Sequence, residues 1–473
     1  MTDTHRRISL IVLVAALIAG MAFAQESGSE SAKPSFGMSL GIGVQTFNDT
    51  VPPTTYQSLS LSPDLSFGKF GIGLAVTLNY RFEGSGNSFE VRRADWWPQA
   101  PDLVTFQSVA AIYLPKIKYV RWGEKGDPLF VKLGSIDDAT LGNGFIVVNY
   151  ANTLFLPENR HFGLNLDADG SLVGFPYLGL ETMVGDLAQF DVLGGRLYVR
   201  PLVGTKIPIL KNLEFGGTVA ADLQPDLYSE PDPAVGATVP VVVFGGDVRL
   251  PILFIKNVVS LVTFADIAST PYMGERTVGG MVGVGGKLFS FLTYGAQLRM
   301  LGDNFIPVYF DATYDLMRAA KYNLTWWEKA DTVNPTHEQL SDAGMGWMAS
   351  LGTSFFNDTI AFKVSLDAPF SSPTTDFAAI VKNPHLRGTF IIGEGIIPGI
   401  SLDASYDKKG ITDFTAAPPG GLFNPTNAAI QTRLNYKSGP AVISFVYMVR
   451  YEAGLLPDPW VVTSGLESAI QLF

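Results

Sequence analysis

The chain has no cysteine, which excludes a disulfide framework, a zinc–thiolate site and a thiolate nucleophile. It has little charge: Asp, Glu, Lys and Arg make up 16% of its 473 residues, with 44 acidic against 33 basic side chains. A net charge of −11 offers no basic face to a phosphate backbone, so nucleic acid is excluded as a partner. Histidine is scarce as well, with four in all and no two at metal-ligand spacing, and no cofactor motif is present. After Ala24 no uncharged apolar window reaches the roughly 18 residues of a helical membrane span. Yet hydrophobic residues make up 47% of the chain and aromatics 12%, which is too apolar for disorder. With 49 glycines alongside, the apolar content must be arranged in some form other than long runs.

The N-terminus reads as an export signal. His5, Arg6 and Arg7 form a short basic end, Ile8 to Ala24 is uncharged, and Ala22-Phe23-Ala24 is a small-x-small cleavage pattern. Residues 1–24 are therefore expected to be removed, leaving Gln25 as the first mature residue. Ile8-Ser9-Leu10 departs from the twin-arginine pattern, so the general secretory (Sec) route is expected.

Within 25–473 the dominant signal is a period of two. Phe70, Ile72, Leu74, Val76, Leu78, Tyr80 and Phe82 alternate with Gly71, Gly73, Ala75, Thr77, Asn79, Arg81 and Glu83. The segments beginning at Phe36, Ile360, Ile400 and Ile430 alternate in the same way. Soluble strands average five or six residues, whereas a tilted bilayer crossing needs about 9–11, and several of these segments are that long. One face is apolar; the other carries Gly, Ser, Thr and charges of both signs. Behind an export signal this predicts an all-β, antiparallel transmembrane barrel with its apolar face to lipid. The sheet must close, because backbone groups in hydrocarbon have no water to bond.

Short connections at 67–69, 357–358 and 438–440 alternate with long polar ones near 83–103, 225–238, 368–386 and 408–427, the habit of outer-membrane barrels. Pro251–Asn257 and Lys206–Asn212 read as further short turns. Both termini on one side require an even strand number. Parity demands one crossing within 136–172 and another within 316–344, the latter assigned to 319–329 because Tyr322, Leu324 and Trp326 alternate with polar neighbours. The count is then 22, within a range of about 16–22. Alternation from Phe36 onward leaves no room for a plug domain before the first strand.

From Gln25 to Phe473 this architecture resembles the outer-membrane porin-like proteins of diderm bacteria. The resemblance is one of class, with no close match to a named transporter. It implies residence in that membrane, contact with its lipid, and presentation of a C-terminal strand ending at Phe473 to the barrel insertion machinery. Phe473 shares a face with Gln471 and Glu467 rather than with Leu466, Ile470 and Leu472, a departure from the usual terminal pattern. Oligomeric state is left open.

No catalytic constellation is present. There is no G-x-S-x-G, and His161 in Asn159-Arg160-His161-Phe162 reads as a polar loop histidine. Gly279–Gly286 lacks the lysine and helix of a phosphate loop, so close strand packing accounts for it. The chain is therefore not expected to be an enzyme or to hold a metal. By alternation the pore-lining candidates are Arg81, Arg196, Tyr198, Arg200, Asp222, Asp247, Arg249, Arg299, Asp311, Lys363, Asp403, Arg433 and Lys437. Segment 136–172 is long and partly apolar, with glycines at 142 and 144. It is read either as a lumen-entering loop, with Asp137, Asp138, Arg160 and His161 as constriction candidates, or as a surface loop. Arg92, Arg93, Trp96 and Trp97 could serve as a loop platform for a sugar. The expected function is a channel through which small hydrophilic solutes or ions diffuse past a mixed-charge lumen. The alternative is a surface binding protein, an adhesin or receptor, whose barrel displays loops.

Overall fold

A computed structural model describes residues 35–47, 54–83, 88–98, 104–156, 160–227, 239–272, 275–326, 343–356, 359–370, 384–411, 421, 424–451 and 460–471. The expected signal peptide, His337, Trp327 and Phe473 lie outside the described residues.

Among the described residues there are 22 strands in a single sheet. They are β1 (Ser35–Phe47), β2 (Thr54–Phe67), β3 (Phe70–Leu74), β4 (Val76–Glu83), β5 (Ser88–Val91), β6 (Ile117–Trp122), β7 (Leu129–Gly134) and β8 (Gly163–Asp169). There follow β9 (Leu178–Val184), β10 (Val192–Val199), β11 (Glu214–Asp222), β12 (Val241–Ile255), β13 (Val259–Tyr272), β14 (Glu275–Leu288) and β15 (Leu292–Leu301). The last seven are β16 (Gly344–Phe355), β17 (Ile360–Pro369), β18 (His385–Ile397), β19 (Ile400–Lys408), β20 (Ala428–Ser438), β21 (Ala441–Tyr451) and β22 (Trp460–Gln471). Two α-helices interrupt them, α1 (Phe106–Tyr113) and α2 (Tyr314–Trp326).

Every pairing between these strands is antiparallel, and β22 returns to β1 in register from Gly37↔Gln471 to Gly43↔Gly465, so the sheet closes. The alternating stretch 70–83 is broken at Ala75. Below the break β3 pairs with β2 and β6; above it β4 pairs with β2 and β5. Twenty strands therefore form the closed ring, and the β4–β5 hairpin stands outside the closure as an extension of β3. Both numbers fall within the range expected from the alternation. Segment 319–329 departs from expectation: residues 314–326 are helical, not a crossing. Pro251 to Ile255 likewise continues β12, and the turn is confined to 256–258.

The pleat sorts side chains to two faces. On β10, Leu197 is 58% exposed on the outer face while its neighbour Arg196 is 1% exposed on the inner one. Ile42, Val219, Phe244, Ile267, Val282 and Leu466 are exposed in the same outward sense. In water such a surface would be an aggregation hazard; in hydrocarbon it is the expected outer face of a barrel.

The apolar core is enclosed by the barrel rather than sandwiched between sheets. Residues 135–156 follow β7 and residues 302–326 follow β15, and side chains of both pack against the inner faces of β9 to β14. Ile136, Leu141, Phe145, Val147, Tyr150, Phe305, Phe310 and Tyr314 form one buried cluster with Met183, Val192, Ala220, Val243, Ala268 and Met281 of the wall. The chain turns inward at Gly134, where φ is +112° and a Cβ would lie 2.3 Å from the Lys118 carbonyl oxygen, so only glycine fits. Bare glycines elsewhere make seats for large side chains. The Phe305 ring occupies the space a Cβ on Gly279 would need, and Phe264 does the same at Gly283. This is the close packing expected of the 279–286 run. The two lumenal segments join through main-chain bonds: Val148 N–H to Phe310 O at 3.0 Å, Val308 N–H to Phe145 O at 2.9 Å and Phe310 N–H to Ile146 O at 3.1 Å.

Candidate functional site in the barrel lumen

The inner face follows from the register. At mid-height the inward row runs Glu181, Arg196, Thr218 and Gly245 across β9 to β12, with Asp247 and Asp266 directly opposite each other one step along β12 and β13. Arg196 is the hub of a first ion cluster. Its Nε and Nη2 donate to the two oxygens of Asp247 at 2.9 and 2.7 Å, Nη1 donates to Glu181 at 3.1 Å, and Nη2 also donates to Glu214 at 2.8 Å. A guanidinium has five donors in a planar fork, which lets one cation serve three carboxylates. The lumenal loop completes the cluster: Gly142 N–H donates to Glu181 at 2.8 Å and Asn143 Nδ2 to Asp266 at 2.8 Å.

A second cluster seats α2 on the wall. Arg318 Nε donates to Asp222 at 2.6 Å and Nη2 to Asp191 at 2.8 Å, while the Tyr314 hydroxyl donates to Asp222 at 2.7 Å. Nearby His161 Nδ1 lies 3.0 Å from Asp186. Burial opposes a charged imidazole there, but Asp186, Asp315 and Asp191 outweigh it and hold the His161 pKa above its ordinary value. Burial also raises Asp315, to about 6, against the pull of Arg318 and His161.

A third cluster ties α2 to the far wall. Asp311 accepts from Lys321 Nζ at 3.1 Å and Lys409 Nζ at 2.5 Å. Burial would raise this carboxyl, but Lys321, Lys409 and His385 hold it far below the ordinary carboxylate range. Lys321 is itself lowered by burial, to about 8, with Asp311 opposing. From there the chain of ions continues through His385–Asp407 at 2.7 Å and Arg299–Asp367 at 2.6 Å.

The sequence-derived candidates divide accordingly. Arg196, Asp222, Asp247 and Arg299 are inward but buried under the lumenal segments or in ion pairs. Asp311 is in the loop before α2, not on the wall where alternation put it: β15 ends at Leu301, and the chain has already turned inward. Arg200 pairs with Asp169, and Tyr198 donates to Asp169 at 3.2 Å. Arg81 pairs with Glu90 at 2.6 Å and Lys437 with Glu394 at 2.6 Å. Arg249, Lys363 and Arg433 are exposed on the inner face, and Asp403 faces Arg433 across β19 and β20. Of the constriction candidates, Asp137 pairs with Lys132 at 2.6 Å and, like Asp138, is exposed. Arg160 is half-buried, and His161 joins the second cluster. Arg92 pairs with Asp95, and its guanidinium lies 3.7 Å from the Phe47 ring centroid; Lys116 Nζ lies 4.0 Å from the Trp96 ring. Arg93 begins the short 3-10 turn that carries Trp96 and Trp97. Sequence reasoning missed Arg318, Lys321, Asp191 and Lys409. The signal for Arg318 and Lys321 was a spacing of three and four: Tyr314, Met317, Arg318, Lys321 and Tyr322 share one buried helical stripe, whereas Asp191 and Lys409 carried no signal in the sequence.

No group of metal-ligating side chains occurs among the described residues. No protein-family model matches the chain, and no curated protein matches it. Several solved structures are similar to it over most of their length at low identity. They include OccAB4 of Acinetobacter baumannii, at 10% identity over 94% of this chain and 98% of that one, TM-score 0.30. OccK2 (OpdF) of Pseudomonas aeruginosa has the same coverage, identity and TM-score. The outer membrane protein OprD of Pseudomonas aeruginosa matches at 9% identity over 93% of this chain and 92% of that one, TM-score 0.28. The chain itself folds as a closed antiparallel barrel of 20 strands with a two-strand extension.

Proposed function

We propose that this protein is an outer-membrane channel for small hydrophilic solutes, without catalytic activity. The observation that carries the reading is the opposition of the two faces of one closed sheet. Apolar side chains stand exposed on the outside, while Arg249, Lys363 and Arg433 are exposed on the inside. A lipid-facing Arg or Lys near mid-bilayer would cost about 2–4 kcal/mol, so their placement suits a wet interior. The segments 135–156 and 302–326 narrow that interior along β9 to β14, and their ion clusters hold the narrowing in place. Charges of both signs around the wall set ion preference.

Single-channel recording of refolded protein in a planar bilayer tests this. Discrete conductance steps are expected, and Lys363→Glu with Arg433→Glu should move the reversal potential in a salt gradient toward cation preference. Folded protein that leaves the bilayer silent would overturn the channel reading.

A further inference from the structure

At one end of the barrel three neighbouring turns carry apolar side chains past the ends of their strands. Residues 170–177 join β8 to β9, 200–213 join β10 to β11, and 256–258 join β12 to β13. Antiparallel order puts them at the same end as the tight turns 67–69 and 439–440, which is the periplasmic end of an outer-membrane barrel. The first two pack on each other. Arg200 N–H donates to the Tyr177 carbonyl at 2.8 Å, and the Tyr177 hydroxyl lies 2.3 Å from where a Cβ on Gly204 would stand. The third joins them because Leu210–Asn212 packs against β12.

Leu172, Val173, Phe175, Ile207, Ile209 and Leu210 are exposed there, Val173 at 83%. They continue the outward rows that reach this end at Val199, Phe215 and Ile255. Ile209 is held at φ +67° by a three-residue turn in which Leu210 N–H donates to the Pro208 carbonyl at 2.7 Å. Positive φ is an outlier for a β-branched residue, and in water strain and apolar exposure would coincide. Charge sets these turns apart as well. Lys206, Lys211 and Lys256 are exposed, and none of them forms an ion pair among the described residues. No Asp or Glu occurs in 170–177, 200–213 or 256–258, in a chain with 44 acidic side chains against 33 basic. At the turn 67–69, by contrast, Lys69 is matched by Asp127 at 3.2 Å. Lys206–Asn212 and Pro251–Asn257 thus share one arrangement, an exposed apolar run ending in an unpaired lysine and an asparagine.

We infer that this face docks on the phospholipid leaflet at the periplasmic side, with Lys206, Lys211 and Lys256 supplying cationic contacts to anionic headgroups. The inference rests on the membrane placement proposed above, not on conduction. Apolar side chains that continue a lipid-facing surface fit the acyl boundary, and lysine stems along that surface bring their ammonium groups to headgroup level. An anionic leaflet attracts such ammonium groups where a zwitterionic one does not. A second copy of this chain fits the face poorly, because it would set lysines against lysines.

The test is native mass spectrometry of the folded full-length protein in detergent, titrated with phosphatidylglycerol or with phosphatidylcholine of the same acyl chains. Phosphatidylglycerol should bind roughly tenfold more tightly or better, and the preference should shrink as salt is raised. One chain carrying Lys206→Gln, Lys211→Gln and Lys256→Gln, checked for native heat-resistant gel mobility, should lose that preference while binding phosphatidylcholine as before. Lys69→Gln should leave both affinities unchanged. Equal binding of the two lipids, a preference that survives the triple variant, or displacement of phosphatidylglycerol by inorganic phosphate would overturn the inference. A dimer abolished by the triple variant would give the face to a second copy instead. Conductance steps without a lipid preference would remove the lipid face and leave the channel. A lipid preference in a protein that never conducts would sink the channel reading and leave the face.

Discussion

Arg318 is the residue whose loss should say most about how the lumen is held. It is fully buried on α2, and it neutralises Asp222 on the wall and Asp191 in the loop before β10. Arg318→Met keeps much of the stem volume and removes the charge, leaving two carboxylates buried without their cation. Removing one partner from a buried pair costs about 3–5 kcal/mol, because the other ion is stranded in low dielectric. The partners of Arg318 lie in the loop before β10 and on β11, so the cost should fall on local opening of 302–326. That corresponds to roughly 10²–10⁴-fold faster amide exchange in peptides covering α2, with exchange in β1 and β2 unchanged. The triple variant Arg318→Met with Asp222→Leu and Asp191→Leu should recover most of the loss, since replacing a buried ion and its partners with apolar groups is often neutral. A rise below tenfold in the single variant, or equal rises in β1 and α2, would refute the argument that this ion cluster anchors the lumenal segment.

Two other outcomes follow from the same structure. Ile267 is 59% exposed on the outer face of β13, so Ile267→Arg should cost about 2–4 kcal/mol in a bilayer unfolding titration. Ser350→Arg, on the inner face of β16, should cost far less, and equal costs would reverse the assignment of faces. The second outcome concerns acid. Asp315, at about 6, and His161 both bind protons more readily folded than unfolded. A group with a raised folded pKa adds stability below that pKa and loses it as pH rises. Resistance of the 302–326 segment to exchange, corrected for intrinsic rates, should therefore increase from pH 7 to pH 5. Asp311, held low, works oppositely and should erode that resistance only as pH falls below the ordinary carboxylate range. Asp315→Asn should flatten the rise between pH 7 and 5; an unchanged profile would count against this assignment.

The barrel was legible because its determinant is local. Alternation in segments such as 36–44 and 360–366 fixes which face each side chain takes, and the inward placement of Arg196, Asp247 and Arg299 follows from counting by two. The same counting failed at 319–329. Tyr322, Leu324 and Trp326 do alternate, but Tyr314, Arg318, Lys321 and Tyr322 satisfy a helical period as well. The choice was made by partners distant in sequence: Asp191 in the loop before β10 and Asp222 on β11 for Arg318, and Lys409 beyond β19 for Asp311 just before the helix. The break at Ala75 was hidden for a related reason. Alternation runs through it without a fault, and it is visible only from the change of partner between β6 and β5. The ion clusters were half legible: the wall residues came from periodicity, whereas their loop partners needed the fold.

The bridge between Val147 and Phe310 joins two segments 163 positions apart, with strands β8 to β15 between them. It cannot form until those strands have paired and curved, because only then do the two segments meet over the same stretch of wall. Closure of β22 on β1 involves neither segment. Biogenesis should thus proceed in two separable stages: a ring that can complete itself in the membrane, and an interior that settles afterwards. If the barrel is the channel proposed above, a chain defective in the second stage would still close its ring, and the result would be a leak rather than a lost protein.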